Sequence, residues 1–140
     1  EESMNGQIVI DGSWEGSILD EKIIMKVENG VVVEISEGEV SERINLAFEE
    51  ISKPLNKSKS AIVKTVAEFG FGMNSRAKIV GNLLEDQVVR GAAHFVFGDN
   101  SAFGGKNNIG IQMRGVILRP TIELQDVDLV KDGKIIAKRK

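Results

Sequence analysis

The 140-residue chain has one histidine, His94, and a glutamate, Glu68, that both stand in stretches reading as β-strand rather than loop. Imidazole is the one side chain whose ordinary pKa lets it change charge between about pH 5 and 8. His94 lies between Ala93 and Phe95, where it is either a core or groove-lining residue with a satisfied hydrogen bond or a functional group. Glu68 stands in Val66-Ala67-Glu68-Phe69, directly before a glycine-rich bend, so its carboxylate lies on a solvent face or is aimed at a site. Other polar groups offer less. Glu85 and Asp86 read as a helix surface or turn, and Asp99-Asn100 as an Asx turn after a strand. Lys106 and Asn107 belong to a polar loop that can cap the floor of a site or form a plain surface turn.

Several chemistries are excluded outright. The chain has no cysteine and no tyrosine, so a disulfide scaffold, a Cys-ligated zinc and a cysteine nucleophile are ruled out. A site needing two histidines cannot be built within one chain. No G-x-x-x-x-G-K-[ST] is present, and Phe69-Gly70-Phe71-Gly72 lacks the third glycine of a dinucleotide loop. No apolar run reaches the roughly 18 residues of a membrane span, so no membrane partner is expected. Nucleic acid is not expected either, because the basic stretches lack aromatic residues. The chain does not begin with Met, its start is not a signal peptide, and a reducing cytoplasm is the expected compartment.

The elements that must position these groups follow from pattern. Residues 1–70 carry 14 acidic and 7 basic residues, whereas residues 71–140 carry 7 and 11, an asymmetry that points to internal or subunit complementarity. The basic excess includes the tail Lys138-Arg139-Lys140, read as a solvated end. Length and a 41% hydrophobic fraction fit one domain over 1–140. Gln7–Ile10 reads as a strand ending at the turn pair Asp11-Gly12. Asn29-Gly30 between two β-branched runs predicts a hairpin, since both residues tolerate positive φ. Ser41 is the expected N-cap of a helix whose apolar face is Ile44, Ala47, Phe48 and Ile51, ended by Pro54. A short second helix follows from Lys57 and leads into the Glu68 strand. Gly91–Gly98 predicts a strand apolar on both faces, and the last thirty residues predict strands with a turn at Asp132-Gly133. The fold class expected is α+β, with a mainly antiparallel sheet and a few short helices.

Five motifs occur in close succession: E-F-G-F-G-M-N, G-N-L-L-E-D, A-A-H-F-V-F-G-D-N, F-G-G-K-N and I-Q-M-R-G-V-I-L-R-P. In this order they resemble the C-terminal part of the thermophilic metalloaminopeptidases of the aminopeptidase T and aminopeptidase S type. The resemblance is sharpest over residues 67–120 and collinear but weaker over 5–66. It implies a leucyl-aminopeptidase-like hydrolase domain, a homodimer, a peptide N-terminus as substrate and a preceding N-terminal domain in a longer protein. It also implies two zinc or cobalt ions clamping a bridging water, with Glu68 and His94 as metal ligands. Gln112 and Arg114 occupy the place of the family's late His-x-Asp ligand pair, and the family's tyrosine has no counterpart.

A two-metal site gathers several anionic ligands, and Arg114 puts a fixed positive charge where the family has an Asp. At about 4 Å and an effective dielectric near 20, each such contact is of order 4 kcal/mol. The resemblance therefore implies an aminopeptidase-like domain without peptidase activity of its own, and no residue is given a catalytic role. Two further readings stand beside it: a non-catalytic peptide-binding or dimerising module on the same fold, and different chemistry on the scaffold, since the family is similar to an iron-dependent ring-opening dioxygenase. Arg114 either pairs with Glu68 in place of the metal or points to solvent.

Overall fold

The computed structural model describes residues 3–124 and 126–136. The basic tail noted above lies outside the described residues. Eleven strands are present among them: β1 (Gly6–Ile10), β2 (Ser13–Trp14), β3 (Ser17–Ile18), β4 (Ile23–Glu28), β5 (Val31–Ile35), β6 (Val66–Phe71), β7 (Ala93–Gly98), β8 (Gln112–Ile117), β9 (Ile122–Leu124), β10 (Val127–Lys131) and β11 (Lys134–Ile135). Three helices join them: α1 (Glu39–Ser52), α2 (Lys57–Ile62) and α3 (Leu83–Asp86). The strands form three sheets, ordered β1-β4-β5, β11-β10-β9 and β3-β2-β8-β7-β6, and every named strand pair is antiparallel. The architecture is thus mainly antiparallel sheet with few helices, and no helix among the described residues is long and apolar enough to cross a membrane.

Both predicted turns form. Asn29 and Gly30 have φ of 50° and 77°, and Asp132 and Gly133 have 46° and 73°, the left-handed pair that matches hairpin twist. Helix α1 differs from expectation at its start. It begins at Glu39 behind Gly38, which offers no side-chain cap, and the Glu21 carboxylate accepts the Val40 N–H at 3.2 Å instead. Ser41 lies inside the helix, buried, with its hydroxyl 3.3 Å from that of Ser36. A carboxylate from a distant segment thus does the capping that a local hydroxyl was expected to do. Asn56 caps α2, accepting from the Lys59 N–H at 2.9 Å.

One core joins α1, the β1-β4-β5 sheet and one face of the five-stranded sheet. Ile8, Ile10, Ile23, Met25 and Val27 pack there with Ile44 and Phe48. Trp14, Phe48 and Phe97 meet at its centre, with ring centroids 5.8–6.4 Å apart. Strand alternation then sends Phe97, Met113 and Gly115 toward this core and the residues between them to the opposite face. That opposite face carries the chemistry.

Candidate functional site

Register brings the site together. Across β6, β7 and β8, one row pairs Gly70, His94 and Val116, and the next pairs Glu68, Val96 and Arg114. Residues directly opposite in an antiparallel ladder share a face. Glu68 reaches that face only because β6 carries a bulge: Val66 pairs with Phe97, Glu68 with Val96, and Ala67 is the extra residue. Val66 points into the core, so regular alternation would have sent Glu68 there too.

His94 is 8% exposed. Its Nε2 lies 3.3 Å from Glu68 Oε1, at the long end of hydrogen-bond range. An ionised carboxylate only accepts, so Nε2–H donates in that bond. Nδ1 is buried and has no partner among the described residues. Gly70 makes the arrangement possible: a Cβ there would stand 2.4 Å from His94 Cε1 and 2.6 Å from Nε2. The glycine vacates the volume that the imidazole fills.

Glu68 and His94 open on a cleft of 510 Å³, whose walls include Phe71, Met73, Gln87 and Val88. The cleft is therefore part aromatic and thioether, part carboxylate and imidazole. Such a mixture of apolar wall and a few polar groups is how small-molecule sites are built. A second cavity of 440 Å³, between α1 and the β2-β3 hairpin, is walled chiefly by apolar residues such as Trp14, Ile44 and Met113 and contains neither His94 nor Glu68.

The other candidates fall elsewhere. Gln112 turns its amide to the Asp99 carbonyl at 2.9 Å. Lys106 is exposed, and neither it nor Asn107 lines the cleft. Asn107 donates its backbone N–H to Asn100 Oδ1, tying the loop to itself. Arg114 makes no ion pair with Glu68: the only ion-pair partner of Glu68 among the described residues is His94. Of the two readings of Arg114, the pairing with Glu68 is thus not the one the structure shows. The register puts the buried Val96 between the two side chains.

Two residues read as surface groups are structural. Asp86 is fully buried; its Oδ1 accepts the Val80 N–H at 2.9 Å, while Oδ2 has no partner among the described residues. Asp99 goes beyond an Asx turn. It accepts from the Ser101 N–H and hydroxyl at 2.8 and 2.6 Å, and from the Ile109 and Gly110 N–H groups at 2.7 Å each. The Ser101 hydroxyl first, then the backbone N–H groups, hold its carboxyl well below the usual carboxylate range. Asp99 fixes the 99–110 loop. The D-N-S spelling signalled its bond to Ser101, and nothing local signalled the two bonds ten residues away.

Comparison with known proteins overturns the family expected from the motifs. No protein-family profile matches the chain, and no curated protein matches it by sequence. A solved structure does match: 2,5-dihydroxypyridine dioxygenase from Pseudomonas putida, at TM-score 0.85 and 20% identity, over 99% of this chain. The chain shares its fold with part of that dioxygenase. It spans 42% of the dioxygenase chain. The aminopeptidase assignment, with its hydrolase and peptidase character, is therefore corrected, and the peptide-binding module offered beside it has no support.

The donor set can be tested against a metal directly. Among the described residues no group of three or more His, Cys, Asp or Glu side chains is placed to hold a metal ion. Glu68 and His94 are two donors, already engaged with each other. A structural or catalytic zinc takes three or four protein ligands, and the other metals of such sites need comparable sets. By themselves, the described residues do not supply the donor set of a dinuclear zinc or cobalt centre.

Proposed function

We propose that this chain is a small-molecule-binding domain that takes a hydroxylated nitrogen-heteroaromatic ring in the Glu68–His94 cleft and holds a ring hydroxyl by a hydrogen bond to Glu68. The observation that carries this reading is the carboxylate–imidazole pair at 3.3 Å, set in a cleft with an aromatic and thioether wall. The shared fold with an enzyme named for 2,5-dihydroxypyridine supports the ligand class. Glu68 uses Oε1 for His94, and Oε2 is left to accept from the ligand. His94 holds the carboxylate in place through Nε2–H. Phe71 and Met73 offer the ring a flat, polarisable surface. The contact is a hydrogen bond: the ligand O–H donates to the carboxylate, and no covalent bond forms or breaks.

The test is titration of the protein with 2,5-dihydroxypyridine under nitrogen, followed by amide and imidazole NMR. Shifts confined to the region of Gly70, Glu68 and His94 are expected. Glu68→Gln should weaken binding by about 10- to 100-fold, since a hydrogen bond to a charged group is worth about 1.5–3 kcal/mol. No shift at millimolar ligand, or equal binding by Glu68→Gln, would overturn the proposal.

A further inference from the structure

Gln87 lines the same cleft as Glu68 and His94, half-buried, just after α3. Among the described residues its side-chain amide has no hydrogen-bond partner, and neither amide atom is sealed in the interior. The other polar side chains of the cleft are partly engaged. Glu68 and His94 bond to each other, and Asn74 Oδ1 accepts the Arg76 N–H at 2.9 Å. Gln87 alone thus offers the cleft a complete amide, a donor and an acceptor together. Its backbone is held. The Asn74 N–H donates to the Val88 carbonyl at 2.9 Å, and the Arg90 N–H to the Asn74 carbonyl at 3.0 Å. Gly72 permits this close approach, since a Cβ there would stand 1.9 Å from the Val89 carbonyl oxygen. Charge narrows the ligand further. The cleft walls carry one carboxylate and no lysine or arginine, so an anionic ligand would face Glu68 with no fixed cation to answer it.

We infer that the ligand of this cleft is a neutral cyclic amide, a 2-pyridone bearing a hydroxyl, and that Gln87 reads its lactam edge. A lactam presents an N–H and a carbonyl side by side on one edge of the ring. The Gln87 amide presents the complementary pair. The ring N–H donates to Gln87 Oε1, and Gln87 Nε2–H donates to the ring carbonyl, in two parallel hydrogen bonds. A 2-hydroxypyridine in water is mostly this lactam, so the ligand arrives in the form that Gln87 fits. The hydroxyl is left for Glu68. A ring that lacks the lactam N–H or carbonyl leaves part of the Gln87 amide without a partner, which is how a polar site discriminates. This inference rests on the cleft reading above, and it adds the tautomer and the edge by which the ring is recognised.

The test compares 5-hydroxy-2-pyridone, the lactam form of 2,5-dihydroxypyridine, with 3-hydroxypyridine by calorimetry under nitrogen on the wild-type chain. Both keep the ring nitrogen and the hydroxyl for Glu68; the second has no lactam N–H and no carbonyl. The lactam should bind about 10-fold more tightly. Its binding should also shift the NMR resonances of the Gln87 side-chain amide. Gln87→Leu, which keeps the bulk and removes both hydrogen bonds, should bring the two affinities together. If Gln87→Leu does not fold, N-methyl-5-hydroxy-2-pyridone on wild-type protein decides the question by removing the donor from the ligand instead: binding as tight as the parent lactam overturns the inference. Equal affinity of the lactam and 3-hydroxypyridine for the wild type, or a difference that survives Gln87→Leu, overturns it while leaving the cleft reading intact. Lactam binding that is weakened in Gln87→Leu and indifferent to Glu68→Gln supports Gln87 and removes Glu68. Failure of both compounds to bind overturns both proposals.

Discussion

Replacing Gly70 with Ala should cost the domain stability through one ring, and the cost can be worked from distances. The added methyl would stand 2.4 Å from His94 Cε1 and 2.6 Å from Nε2. Carbon atoms in contact prefer about 3.5–4.0 Å, so the imidazole must retreat by roughly 1 Å. It is more than nine-tenths buried and has little room. Overpacking of this kind costs about 1–3 kcal/mol. Removing a glycine from the unfolded chain returns about 0.4–1 kcal/mol, so the expected net loss is up to about 2.5 kcal/mol. Retreat also carries Nε2 beyond hydrogen-bond range of Glu68, from a starting distance of 3.3 Å. The assay is a double-mutant cycle by urea denaturation, read by the fluorescence of the single, buried Trp14. In a His94→Ala background the methyl meets empty space, and Gly70→Ala should become neutral or stabilising. The coupling between the two sites should be at least about 1 kcal/mol. Losses that simply add, within about 0.5 kcal/mol, would show that Gly70 is not there to house the imidazole, and the account of the site would fail with it.

Three further outcomes follow from the same geometry. Asp99→Asn should lower the melting temperature at neutral pH, because four donors lose a charged acceptor. Since the folded state holds this carboxyl below its ordinary value, the contribution is complete above the unfolded pKa and fades as pH falls through the acid range. The variant's melting temperature should therefore fall less steeply than the wild type's on acidification; parallel acid limbs would refute this. Phe48→Ala, at the centre of the aromatic core, should cost about 3–5 kcal/mol by denaturant unfolding; a loss below about 1 kcal/mol would mean that the core repacks freely. Asp86→Asn should be stable or better, because the amide keeps an acceptor for the Val80 N–H and relieves a buried carboxylate oxygen without a partner; marked destabilisation on thermal unfolding would mean that a further donor meets Oδ2.

Turns and strands were legible because their causes are local. Asn29-Gly30 and Asp132-Gly133 needed only positive φ, and the Gly91–Gly98 run needed only its apolar pattern. His94 and Glu68 could each be singled out, and the structure sets them side by side. Their partnership was not written locally, because it depends on the pairing of β6 with β7. The burial of Asp86 and the capping of α1 by Glu21 were hidden for the same reason: the deciding partner is remote in sequence. The mistaken family has a physical root too. Gly70 is required by the volume of the His94 ring, and Gly115 by Ile10, whose Cδ1 would lie 2.4 Å from an added Cβ. Motifs made of such residues report how strands and side chains fit together. Such a fit belongs to a fold, and one fold can carry different reactions.

The extra residue at Ala67 bears on how such a domain can diverge. Were Ala67 to take a regular place opposite Val96, Glu68 would pass to the side of Phe95, and Phe69 and Phe71 would exchange faces with it. Every side chain would be retained, yet the carboxylate would leave the imidazole. Gain or loss of the pair here thus lies one step of strand register away, a step that counts of amino-acid replacements do not register. The sequence alone would then show nothing of the change, because the same residues would stand in the same order.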